Sequence, residues 1–356
     1  MKKFTKLALA TSVAFSANAM AMQAMDDASL SATTGQDGIT IGIGISKIAI
    51  ERLYVHDNDG YIDKGVPGNA GAIVIMGKDA TADSEAPEDS WTSPTTATHG
   101  VVIGANYEKD SSGNYLHLLD TRNLADLVID SDGGTDAKGG AFINIAAAVS
   151  GLDIQIGAIG VTASGDEPAT DANTIRRGGT GAVNKILSGL DIKTGKMTAN
   201  IQLGASPQGA MIKLDTIMTG GLEIKNLGLL DNSSATKPIS QNPTTFAPIT
   251  TGNAGELFIE SIKLTDEKSK NLTIKQDINI FTLTKDQAGK GDSGFIKIVS
   301  HGGAKDNYVA GIRIGGESAA SIGDVEVQGL QTYYTSSISS AGMNYSKGAV
   351  ITISGH

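Results

Sequence analysis

The chain has 356 residues, a formal net charge of −10, 40% hydrophobic residues, 4% aromatic residues and no cysteine. The missing cysteine excludes a disulfide framework, a thiolate zinc site and a cysteine nucleophile, and an acidic chain without basic clusters is a poor partner for nucleic acid or anionic lipid. The length suits one large all-β body or two domains, whose core must be filled by Ile, Val, Leu, Ala and Met.

The chain opens with the pattern of a secretory signal over residues 1–21. Lys2, Lys3 and Lys6 form a basic start, Leu7–Ser16 an apolar run, and Ala17-Asn18-Ala19 and Ala19-Met20-Ala21 each offer a small-x-small cleavage site. The apolar run is too short for an uncleaved anchor, and no later run approaches the roughly 18 apolar residues of a spanning helix. No cysteine follows for lipid attachment. An exported chain with no transmembrane segment after cleavage is expected.

A polar leader, residues 22–37, follows, in which Asp26 is placed to cap a short helical turn over Asp27–Ala32. Ile39, Ile41, Ile43 and Ile45 then alternate with small or polar residues, and Ile48 and Ile50 follow, the period of a strand with one β-branched face. Two kinds of strand opening recur. Gly-Ala precedes an apolar alternation at Gly71, Gly140, Gly209 and Gly348, with looser copies at Gly294–Ile298 and Gly311–Ile314. Gly-Leu-acid-Ile occurs at Gly151, Gly189 and Gly221, at intervals of roughly 32–38 residues, with weaker relatives at Gly255 and Asn271. Glycine ahead of a strand permits turn dihedrals that other residues resist. The expected fold is all-β: an irregular β-solenoid or β-helix-like stack of short Gly-initiated strands, or alternatively a large β-sandwich or two sandwiches.

Three inserts interrupt the strands: Asp79–His99, which is acidic, Thr-rich and holds the lone Trp91; Ala163–Gly181, with Arg176-Arg177; and Asp231–Asn253, with Pro238, Pro243 and Pro248. The arginine pair reads as solvated loop charge. The third insert, 231–253, reads as a loop or linker between an N-terminal β region, 22–230, and a C-terminal one, 254–356.

Two loops share the pattern D-x-D-G-x-x-D: Asp57, Asp59 and Asp63 in one, Asp130, Asp132 and Asp136 in the other. Calcium takes about six to eight oxygens, and close carboxylates around a glycine turn can supply several. Neither loop has the twelfth-position Glu of an EF-hand, and Asp-Gly is equally a hairpin turn signal. Calcium is the one cofactor these residues bring into view; plain turns are the other reading. Gly291-Asp292-Ser293-Gly294 follows Thr98-His99-Gly100 in the chain order of a serine protease, with Ser293 as nucleophile and His99 as base. Phe295 breaks the motif and no triad aspartate can be picked out, so a turn before a strand explains the same residues. His56, His99, His117, His301 and His356 show no metal-ligand spacing. Gly178-Gly179-Thr180-Gly181 lacks the ending of a phosphate loop. The chain reads as a non-enzyme.

The signature Met25-Asp26-Asp27, Leu30-Ser31, Thr34-Gly35-Gln36 and Gly38-Ile39-Thr40-Ile41, set behind the signal-like start, resembles FilA-type pilus-system proteins of Gram-negative bacteria over about the first 60 residues. The resemblance implies a structural or adhesive component of a filament system, at the cell surface, in the pilus or in the periplasm. Its implied partners are other pilus-system proteins, further copies of itself or a surface ligand. A secreted calcium- or carbohydrate-binding β module is the alternative, and a secreted serine hydrolase a remote one. The terminal strands, Gly38–Ile50 and Gly348–Ser354, are the candidates for assembly by edge pairing.

Overall fold

The computed structural model describes residues 38–63, 66–80, 94–249, 252–283, 293–339 and 342–355. The expected signal peptide, the leader turn over 27–32 and Trp91 lie outside the described residues. The first strands are β1 (Ile39–Ile43), β2 (Lys47–Ile50), β3 (Leu53–His56), the short pair β4 (Ile62–Asp63) and β5 (Val66–Pro67), β6 (Gly71–Met76) and β7 (Val101–Ala105). There follow β8 (Ala125–Asp132), β9 (Phe142–Val149), β10 (Leu152–Ile156), β11 (Ala158–Ser164), β12 (Gly179–Lys193), β13 (Met197–Gly204), β14 (Ile212–Met218) and β15 (Leu222–Asp231). A small hairpin, β16 (Ser240–Gln241) with β17 (Pro248–Ile249), leads to β18 (Gly255–Asp266), β19 (Leu272–Leu283), β20 (Ser293–His301), β21 (Lys305–Ile314) and β22 (Ser321–Leu330). The hairpin β23 (Tyr333–Ser339) and β24 (Gly342–Lys347) precedes the last strand, β25 (Ala349–Ser354).

The chain is all-β and sandwich-like: 59% of the described residues lie in strands, in several antiparallel sheets, and these residues form no closed barrel. The first large sheet has eight strands in the order β1-β8-β9-β13-β14-β19-β20-β25. The second runs β2-β7-β10-β12-β15-β18-β21-β22, with β3, β6 and β11 attached. Both orders follow the sequence without exception. From β7 onward the chain lays down strands in one sheet, turns a corner, lays down strands in the other, and returns. Most corners are a few residues long, such as Ser150-Gly151 and Thr194–Lys196. Successive passes accumulate in one direction, as turns of a solenoid do, but with antiparallel pairing throughout. The 231–253 segment joins β15 to β18, which are neighbours paired from Leu222 opposite Leu264 to Asp231 opposite Gly255. Residues on both sides of it therefore build the same two sheets.

Register explains the isoleucine alternation. In the first sheet Ile39, Ile129, Ile145, Ile201, Ile212, Ile278, Ile298 and Ile351 stand opposite one another in turn, one from every strand. In the second, Ile48, Ile103, Ile154, Ile192, Ile224, Ile262, Val309 and Val325 do the same. Each β-branched rung packs on its neighbours, for about 0.2–1 kcal/mol per cross-strand pair. A one-residue slip would turn every rung to the other face, so the ladders also hold register. The Gly-Leu-acid-Ile motifs beginning at Gly151, Gly189 and Gly221 supply three successive rungs, Ile154, Ile192 and Ile224. Two of these glycines precede strands as expected. Gly189 instead lies inside β12, at φ 132° and between two register shifts, where a Cβ would meet Ile156 O at 2.8 Å.

Beside the second ladder runs a polar row: Lys47, Gly104, Asp153, Lys193, Glu223, Lys263, Tyr308 and Glu326. Its charges alternate in sign from Asp153 to Lys263, and opposite charges directly across a pair favour that pairing. On the other face of the first sheet from its ladder, Asn144 Oδ1 accepts from Asn200 Nδ2 at 2.8 Å and from Gln202 Nε2 at 3.0 Å, and Gln208 closes the amide network.

The second sheet bends where Glu51-Arg52, Gly100, Gly157 and Gly189 interrupt four adjacent strands. Gly157 N donates to Gly100 O and Gly100 N to Glu51 O. A Cβ on Gly157 would lie 2.3 Å from Met76 O, so only glycine allows this approach. Beyond the bend, β3, β6 and β11 prolong β2, β7 and β10, and Val74, Met76 and Ala158 form a buried cluster against Tyr54 and Val183.

Near the corner between β18 and β19, Asp266 accepts from Lys305 Nζ and from the Thr273 amide and hydroxyl, at 3.0 and 2.7 Å for the last two. Burial pushes the Asp266 carboxyl up, but the bonds from Lys305 and Thr273 outweigh it and leave the carboxyl below its ordinary value. A depressed folded-state value contributes stability above the unfolded carboxylate range, lost as pH falls through the folded value. Asp266→Asn is therefore expected to cost about 1–2 kcal/mol at pH 7. The difference from wild type should shrink when urea unfolding is repeated near pH 3.

Candidate functional site

The first D-x-D-G-x-x-D segment runs from the end of β3 into β4, and the second from the end of β8 into a 3-10 turn. Asp59 N donates to Asp57 Oδ1 at 3.4 Å, and hydrogen bonds from Asp59 hold the Asp57 carboxyl below its ordinary value. Asp63 ends β4 and pairs with Val66; its side chain lies outside the described residues. Asp130 stands in β8 opposite Asn144, Asp132 ends that strand and accepts from Gly134 N at 2.6 Å, and Asp136 opens a 3-10 turn, Asp136–Lys138. Among the described residues, no three His, Asp or Glu side chains gather as a ligand set for a metal.

Ser293 and His99 are not brought together. His99 is buried beside the bend, ahead of β7, with Nδ1 2.9 Å from Thr98 Oγ1. Ser293 is exposed at the start of β20. β7 is second in its sheet and β20 seventh in the other, a separation of about 24 Å at ~4.8 Å per strand. Of the arginine pair, Arg176 is exposed, as expected, while Arg177 is half-buried and also anchors its loop. Arg177 donates to Gly165 O and Asn58 Oδ1, both at 2.7 Å, and Arg176 lies 3.5 Å from Glu51, tying the 165–178 loop to the first strands.

One polar cleft of about 270 Å³ lies at a corner between the sheets, lined by Asn106, Glu108, His117, Lys193, Glu223 and Lys263 among others. His117 is buried, its Nε2 is 3.5 Å from Glu108, and its carbonyl accepts from Gly151 N at 2.6 Å. Nothing in the sequence around His117 distinguished it from the other histidines, because its neighbours come from distant strands. Carboxylates and ammonium groups share this cleft, so it favours neither sign of ligand. His117 reads as part of the corner's packing.

The edges of the two sheets are the feature that points outward. Among the described residues, β1 pairs only with β8, β25 only with β20, β2 only with β7 and β22 only with β21. Ile39 is 62% exposed, Ile351 51% and Ile353 53%, and β22 is exposed along its whole length. Natural sheets blunt their edges with charge, proline or covering loops; a long apolar edge with free N–H and C=O groups is a template for another strand. The expected N-terminal strand, Gly38–Ile50, thus divides into β1 and β2 at the edges of two different sheets, and β25, from the expected Gly348–Ser354, stands at the opposite edge from β1. β22 was missed: its pattern, SIGDVEVQGL, alternates, but its place as an edge depends on what fails to pair with it.

Among the described residues, the fold is two open antiparallel sheets whose end strands have no second partner. A family model described as a family of unknown function (DUF6160) matches residues 1–90, from the signal-like start through β6. No curated protein and no solved structure matches the chain. No helix among the described residues is long and apolar enough to cross a membrane.

Proposed function

We propose that this chain is an exported structural or adhesive component of a bacterial pilus or filament system, assembling through its open strand edges. The observation that supports this reading is that, among the described residues, the N- and C-terminal ends of the same large sheets are exposed edges without a second strand partner. The signal-like start supports export, and the resemblance of Met25–Ile41 to FilA-type proteins supports the filament context. The acidic surface suits an exported particle, since nothing in it favours nucleic acid.

Immunogold labelling of intact cells with an antibody to residues 38–355 tests the reading. Label along filaments or at their tips is expected. Label that appears only after the outer membrane is opened, or only inside the cytoplasm, would overturn it.

A further inference from the structure

We propose that copies of this chain stack head to tail, β25 and β22 of one copy pairing with β1 and β2 of the next. This rests on the assembly reading above and gives it a partner, a second copy of the chain, and a geometry.

Polarity comes first. Every pairing along the two eight-strand paths is antiparallel, so strand direction alternates across each sheet. Eight is even, so the last strand of each path runs opposite to the first. A second copy, moved along the stacking direction and rotated by the sheets' own twist, meets both edges with antiparallel polarity at once. An odd count in either sheet would have made one of the two junctions parallel. Equal counts also make both sheets advance by the same distance, about 38 Å at ~4.8 Å per strand.

Side chains agree with that register. Placing Ile351 opposite Ile39 of the next copy and Val325 opposite its Ile48 continues both aliphatic ladders across the junction. The second alignment sets Glu326 opposite Lys47 of the next copy, the charge pair that extends the polar row. Neither residue faces a charge within its own chain: Lys47 stands opposite Gly104 and Glu326 opposite Tyr308. In this register Ser321–Glu326 of β22 face Arg52–Lys47 of the next copy, so the second junction covers β2, and Ala349–Ile351 face Ile41–Ile39 at the first. A symmetric β22–β22 dimer centred on Val325 would instead face Asp324 with Glu326, twice, and like charges directly opposite are destabilising. Head-to-tail contact of this kind does not close on itself and gives an open filament.

The cysteine-free chain makes the test direct. In the proposed register Thr40 of one copy faces Val350 of another at a Cα separation of about 4.5–5.5 Å, within disulfide reach. Under mild oxidation the T40C/V350C double variant should give a ladder of dimers, trimers and higher species on non-reducing gels, whereas either single variant should stop at dimer. K47E and E326K should each weaken self-association in sedimentation by about tenfold, and K47E/E326K together should restore it. A double-cysteine variant no more cross-linked than the singles, or a charge swap that restores nothing, would overturn the stacking. A ladder from purified protein without label outside the cell would remove the filament reading and leave the stacking. Surface label without a ladder would do the reverse.

Discussion

Ile201→Asp is expected to destabilise the chain by about 3 kcal/mol, the largest cost of any single ladder substitution. Ile201 stands mid-sheet, between Ile145 and Ile212, and each of those rungs packs on a further isoleucine. A carboxylate there loses the aliphatic contacts on both sides and is held among apolar neighbours with no donor opposite it. Ile201→Val, which keeps the β-branch, should cost less than about 1.5 kcal/mol. Urea unfolding of the two variants checks the contrast. The same change at the edge, Ile351→Asp, should leave the single copy nearly as stable, because Ile351 is half exposed, and should abolish stacking. Equal losses at Ile201 and Ile351 would mean that the ladder has no interior.

Gly348→Ala is the second large effect. Gly348 seats β25 beside β20 at φ 122°, its N–H donates to Thr332 O, and a Cβ there would lie 1.8 Å from Ser300 O. Both the backbone conformation and the close approach exclude a side chain, so about 3 kcal/mol is expected. The damage should be local. Hydrogen exchange should rise sharply over residues 349–354 and at the facing strand, 293–301, while β8 and β9 keep their protection. Uniform exchange across the chain would show instead that β25 holds the whole fold.

Much of the architecture was legible locally. The alternation at Ile39, Ile41 and Ile43 marks a strand because period two needs only neighbouring residues, and Gly71, Gly151, Gly221 and Gly348 lie at strand openings because turn dihedrals are also local. Pairing was not legible. Ile39 finds its partner at Ile129 and Ile48 at Ile103, through inserts whose lengths carry no record of register. The equal strand counts, the two ladders and the charge row are properties of that long-range pairing alone. Gly189 shows the same limit: its motif matches Gly151 and Gly221, yet it serves as a bulge in mid-strand. Arg177 likewise clamps two loops that lie far apart in sequence. The edge site was half legible: the terminal strands stood out by composition and position, while β22 and its match to β2 emerged only once the sheets were ordered.

Electron microscopy of the purified chain lacking residues 1–21 tests the central claim, that two open sheets continue from copy to copy, most directly. The account predicts filaments whose averaged images repeat axially at about 38 Å, with strands spaced ~4.8 Å along the axis. Single particles at every concentration, closed dimers, or filaments whose strands lie along the axis would contradict it.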